Sequence, residues 1–84
     1  MHTSEILEII RTTHELSKQE MSNLLGIPGK RYARYESGVL IPDDFFYERM
    51  ETLYGIDMRQ SNIVFTHPEK LKPAVYEQLR QLLL

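Results

Sequence analysis

The sequence predicts an all-α domain of four to five helices, followed by a short strand and one further helix. Three features carry that prediction. Apolar residues recur at three- and four-residue steps through successive stretches, the spacing of helix faces turned to a core. Gly26, Gly38 and Gly55 stand where those stretches stop, and Ser17 and Asp43 stand where two of them start. Only Ile63-Val64-Phe65-Thr66 has the composition of a strand. The organisation that follows is a helical domain over residues 1–57 and a strand–helix extension over residues 58–84.

The first helix is capped by Thr3 or Ser4 and runs to about Thr13. It buries Ile6, Leu7 and Ile10, with Glu5 and Glu8 near its positive end. In the second, Ser17 and Glu20 form a capping box, and Met21, Leu24 and Leu25 keep helical spacing. Gly26 ends it in the left-handed backbone that a residue without Cβ adopts freely. Ser22 is small enough for a third helix to cross closely. That helix starts near Pro28, turns Lys30, Arg31 and Arg34 outward and Tyr32 and Tyr35 inward, and leaves at Gly38 and Pro42. A fourth begins at Asp43-Asp44 and buries Phe45, Phe46, Met50, Leu53 and Tyr54 before Gly55, with Ile56 folding back under the core.

Residues 57–62 form a polar connector. A strand of four residues is unstable alone, and the chain offers no second one of quality. It therefore pairs with the same strand of another copy or docks as an extended arm. Thr66-His67-Pro68-Glu69 reads as another capping box, and Pro73 interrupts, which leaves a last helix from Pro73 to Leu83. Leu71, Val75, Leu79 and Leu82, widened by Tyr76 and Leu83, make a stripe suited to a helix–helix seam. Spacing alone suits packing on its own domain or on a second subunit; the homodimer is the reading preferred, with Ile63, Phe65, Val75, Leu79 and Leu82 as its expected contacts.

Composition narrows the function. Eighty-four residues make one domain, and a chain this small buries only about 60–65% of its unfolded surface. Association of two copies is one remedy. Cysteine is absent, which removes disulfides and makes a zinc finger implausible. No apolar run approaches the ~20 residues that span a bilayer, and the opening His2-Thr3-Ser4-Glu5 is unlike a secretory signal. A cytoplasmic, nucleoid-associated protein without membrane contact is expected. His2, His14 and His67 lack a second ligand at helical spacing and read as surface residues. Asp43, Asp44, Glu48 and Glu51 lack the glycine and alternating oxygens of a calcium loop. With no nucleophile–base pair and no phosphate-cradling loop, no catalysis, metal or cofactor is expected.

What remains is the basic third helix. A cationic helix braced at its N-terminal end by another short helix is the geometry that places side chains in a DNA major groove. The net charge of −2 works against global steering, but residues 28–38 hold three cations and one anion, whereas 43–57 hold five anions and only Arg49. Lys30 and Arg34 lie one turn apart on one face and are the expected base contacts. Arg34 is the better reader, since a guanidinium fits guanine O6 and N7. Arg31, on the flank, meets the backbone instead, and the N–H groups of Ser37 and Gly38 offer further phosphate contacts.

Leu16-Ser17, Leu24-Leu25-Gly26-Ile27 and Tyr35-Glu36-Ser37-Gly38, with Pro42 behind them, fall at the relative offsets of a known family. Residues 5 to 57 or so resemble the phage-repressor (Cro/repressor, XRE-type) helix-turn-helix regulators. The resemblance implies a lambda-repressor-like domain and a sequence-specific double-stranded DNA-binding transcriptional regulator. It further implies a repressor acting as a homodimer on an inverted-repeat operator, its half-sites about one helical turn (~34 Å) or a multiple apart. It implies an ion pair between Arg11 and Glu36, although the two residues alone would equally suit solvated surface charges. Lys18 stands where the family commonly places a glutamine that meets phosphate, with Gln19 as its helper. The family's base-reading residue after the third-helix start is Gly29 here, so that contact is lost or replaced by close backbone approach.

Val39-Leu40-Ile41 departs from the polar residues the family often has there. Either Val39 and Ile41 pack onto the fourth helix, or Leu40 reaches a partner subunit or DNA sugars. Two rival functions stay open. One is an antitoxin that represses its own operon and binds a toxin through the segment outside the motif. The other is a protein-interaction module that keeps the fold without binding DNA, which net acidity and the apolar 39–41 loop favour.

Overall fold

The computed structural model describes residues 3–60 and 62–83. The helices are α1 (Thr3–Thr13), α2 (Lys18–Leu25), α3 (Gly29–Ser37), α4 (Asp44–Tyr54) and α5 (Pro73–Leu83). Between the last two lie strands β1 (Ile56–Asp57) and β2 (Val64–Phe65) and a 3-10 turn over Pro68–Lys70. The fold is mostly helical, with one small antiparallel sheet in which Ile56 pairs with Phe65 and Asp57 with Val64. His2, Ser61 and the side chain of Leu83 lie outside the described residues.

Local chemistry sets the boundaries of α2, α3 and α4. At the start of α2 the Ser17 Oγ accepts from the Glu20 N–H at 3.0 Å, and the Ser17 N–H donates to Glu20 Oε1 at 3.0 Å. Gly26 ends the helix at φ 71°, and the Ile27 N–H reaches back to the Ser22 carbonyl. Pro28 then sets the extended backbone from which α3 springs. Asp43 Oδ1 accepts from the Phe46 N–H and caps α4.

One core collects side chains from the whole chain. Leu7 and Ile10 of α1, Met21 and Leu25 of α2, Tyr32 of α3, and Phe46 and Met50 of α4 are fully buried. So are Ile56 of β1 and Val75 and Leu79 of α5. Tyr35 meets Phe46 edge to face at 4.8 Å, and Phe65 meets Tyr76 likewise at 4.9 Å, docking β2 on α5. The stripe on α5 is therefore spent inside its own chain against α1, which corrects the homodimer seam expected of Val75 and Leu79. Leu71 is buried too, and Ile63 and Phe65 pack half-buried on the same core. Of the expected dimer contacts only Leu82 is well exposed, at 48%. The partner of β2 is likewise internal: β1, directly after Gly55, takes the place expected of a second copy.

Gly55 makes that hairpin possible. Its φ of 64° is left-handed, and a Cβ there would overlap the carbonyl of His67. Its own carbonyl accepts from the N–H groups of Thr66 and His67 at 2.8 and 3.0 Å. The capping box expected at Thr66–Glu69 does not form. The backbone turns in 3-10 fashion after His67 with no side-chain cap, and the Thr66 Oγ1 is buried without a partner. One apolar expectation also fails: Phe45, placed by its spacing on the buried side of α4, is half-exposed.

Leu79→Ala should lower the unfolding free energy by about 2–5 kcal/mol, whereas Leu82→Ala should change it by less than ~0.5 kcal/mol. Urea denaturation of the two variants measures the difference. Equal losses would place the α5 stripe elsewhere than in its own core.

Candidate nucleic-acid interface

Buried chemistry on one side of α3 decides what its other side displays. Tyr32, Tyr35 and Glu36 face the body. Glu36 is the polar exception among them, with its side chain only 5% exposed. Arg11, reaching over from α1, holds it with a forked contact: Nε donates to Oε2 at 2.9 Å and Nη2 to Oε1 at 2.9 Å. The third guanidinium nitrogen, Nη1, donates to the Leu16 carbonyl at 2.8 Å, where the chain approaches α2. Burial works to raise the Glu36 carboxyl, but the Arg11 hydrogen bonds and charge outweigh it and hold it below the usual carboxylate range. The same hydrogen bonds to Glu36 raise the Arg11 guanidinium against its own desolvation.

With that face fixed, Lys30 and Arg34 stand one turn apart on the outer face of α3, and Arg31 stands beside them. All three are exposed. Lys18 and Gln19 are exposed at the first turn of α2, where backbone N–H groups lack intrahelical acceptors and the helix dipole is positive. Among the described residues none of Lys18, Lys30, Arg31 and Arg34 is in a salt bridge. Among the described residues no acid of α4 forms a salt bridge with these cations. A donor-rich face of this kind suits phosphate oxygens and the acceptor atoms of bases.

The α2–α3 corner is tight. Ser22 is fully buried, its Oγ donating to the Gln19 carbonyl at 2.8 Å. The Gln19 amide lies over Gly29, and its Nε2 donates to Asn23 Oδ1 at 2.9 Å. At the far end of α2, Arg49 of α4 donates through Nη2 to the Leu24 carbonyl at 3.0 Å and through Nε to the Leu25 carbonyl at 3.4 Å. Arg49 was visible in the sequence only as the lone cation of an acidic segment. Its role as a cap of α2 depends on a crossing that spacing does not reveal.

Two expected features of the interface are corrected. The N–H groups of Ser37 and Gly38 are not available to phosphate. That of Ser37 lies in the last turn of the α3 ladder, and that of Gly38 bonds the Arg34 and Tyr35 carbonyls. The Ser37 hydroxyl also donates inward, to the Arg34 carbonyl. Nor do Val39 and Ile41 pack on α4. They are 78% and 85% exposed, because the N–H groups of Val39 and Leu40 both turn back onto the Arg34 carbonyl and hold the loop outward.

His14 is also not a plain surface residue. Its ring meets Tyr54 edge to face at 5.2 Å, and its Nε2 is buried without a partner. Burial, with the charge of Lys72 nearby, lowers its affinity for a proton. Among the described residues no three His, Cys, Asp or Glu side chains are grouped so as to hold a metal ion, and no helix is long and apolar enough to cross a membrane. Comparison with protein-family models, curated proteins and solved structures found no match.

His14 and Glu36 both hold protons less tightly than ordinary groups of their kind, so the unfolded chain binds the extra proton. Stability should be highest above about pH 6.5, the ordinary histidine value, and decline below it as the unfolded chain protonates. A second decline should follow below about pH 4.5, the ordinary carboxylate value, as the Arg11–Glu36 contact is lost. Denaturation across that range should show His14→Gln losing the upper step and keeping the lower.

Proposed function

We propose that the chain is a sequence-specific double-stranded DNA-binding regulator of repressor type, with α2 and α3 as its helix-turn-helix. The observation that carries this reading is the outer face of α3, where Lys30 and Arg34 stand exposed and outside any salt bridge among the described residues. The braced α2–α3 corner and the resemblance of residues 5 to 57 or so to the phage-repressor family support it.

In this reading α3 enters the major groove. Arg34 donates two parallel hydrogen bonds to guanine O6 and N7, and Lys30, one turn ahead, reaches a base or a neighbouring phosphate. Arg31 meets the strand beside the groove. Lys18 meets a phosphate at the start of α2, where its charge adds to the helix dipole. These phosphate contacts fix register and carry most of the salt dependence, while Arg34 carries discrimination. The face left for groove binding is small, which makes a homodimer on an inverted repeat the economical arrangement. Val75 and Leu79 are not available to hold it.

One observation favours a second reading, that of a protein-interaction module, including an antitoxin that grips a toxin. Val39, Ile41 and Phe45 expose apolar surface close together in sequence beyond the end of α3. The two readings part on one measurement. A regulator forms a saturable, salt-dependent complex with particular DNA sequences, and an interaction module does not.

Arg34→Ala should flatten the preference among operator variants, costing about 1–3 kcal/mol at one base position. Lys18→Ala should weaken all sequences alike and reduce the slope of log affinity against log salt by about 1. Fluorescence titrations at several salt concentrations test both. An Arg34→Ala protein that ranks sites as the parent does, with its discrimination intact, would refute the base-reading role.

A further inference from the structure

We infer that Gln19, a residue of α2, supplies the polar contact that Gly29 cannot make at the leading end of α3, and that it reads an adenine. This rests on the DNA-binding reading above and assigns Gln19 a base rather than a phosphate. A Cβ placed on Gly29 would lie 2.9 Å from Gln19 Oε1 and 3.7 Å from Ser22 Oγ. The Gln19 amide thus fills the space in which a side chain at position 29 would begin. The sequence alone shows only a missing side chain there; the fold puts another residue's amide in its place.

The hydrogen bonding of that amide specifies what it recognises. Gln19 Nε2 donates one N–H to Asn23 Oδ1 at 2.9 Å, one turn along the same helix, which fixes the plane of the group. A second N–H and the carbonyl oxygen remain. One donor beside one acceptor matches the N7 and N6–H₂ of adenine in the major groove, the bidentate pairing that glutamine makes there. A phosphate would use the donor and leave the carbonyl facing like charge. Gln19 and Asn23 are both exposed, and Gly29 places no side chain of its own against the amide.

The test is selection of bound sites from a random DNA pool by the parent, Gln19→Ala and Gly29→Ala, with folding checked by thermal melts. Gly29→Ala is informative because its new methyl displaces only the far end of a flexible side chain, at a helical position where alanine is favoured over glycine. The parent should select adenine at one position of the site. Both variants should lose that preference by about tenfold or more, at the same position, with the other positions and the salt slope unchanged. A parent that selects a site while Gln19→Ala retains every preference would overturn the inference and leave the DNA reading standing. A parent that selects no sequence at all would overturn both.

Discussion

The contact between Arg11 and Glu36 organises the rest of the molecule. A single guanidinium on α1 holds the only buried carboxylate of α3 and the backbone carbonyl just ahead of α2. Three helices are thereby referenced to one planar group. Two charges taken out of water gain little net stability from each other, yet each becomes costly without its partner. What the pair secures is orientation. Glu36 has one acceptable direction, and with Tyr32 and Tyr35 it sets the rotation of α3 about its own axis. The outward placement of Lys30 and Arg34 follows from that rotation.

The helix that braces α3 is itself held at both ends by arginines from elsewhere in the chain. Arg11 grips the carbonyl of Leu16 before α2 begins, and Arg49 grips those of Leu24 and Leu25 where it stops. Between them the Ser17–Glu20 box and the buried Ser22 fix the short helix against α3. An eight-residue helix is marginal alone, and here Ser17 and Glu20 cap its start while Arg49 takes up carbonyls at its end. Tyr54 adds a third tie from beneath, its hydroxyl donating to the sulfur of Met21 at 3.3 Å. The α2–α3 corner is thus tied from α1 and from α4.

Much of this was legible in the sequence where the cause is local. Ser17 with Glu20, Pro28 with Gly38, and Asp43 with Gly55 mark their helices because caps and left-handed turns act within a few residues. The shared face of Lys30 and Arg34 was legible too, since helical geometry alone puts a fourth neighbour on the same side. Spacing identified the α5 stripe but could not name its cover, because an apolar face looks the same against its own domain or a second copy. The strand partner was hidden for a different reason. Ile56 and Asp57 are too few to show an alternation, and only the close approach of Gly55 to His67 reveals them as a strand. Interactions through the backbone were equally silent: the Gly38 N–H is consumed by the turn that follows α3, and Arg49 finds carbonyls that no residue pattern encodes. His14 and Gln19 matter through what lies over them in space, and their neighbours in sequence do not report it.

The burial of Val75 and Leu79 against α1 closes the described fold into one long loop. α1 and α5 are far apart in sequence, yet Leu7, Ile10, Val75 and Leu79 belong to a single core. The entropy cost of closing a loop rises only slowly with its length, so pairing segments this distant costs little more than pairing near ones. Removing the cover that α5 provides would strip the inner face of α1 along with its own.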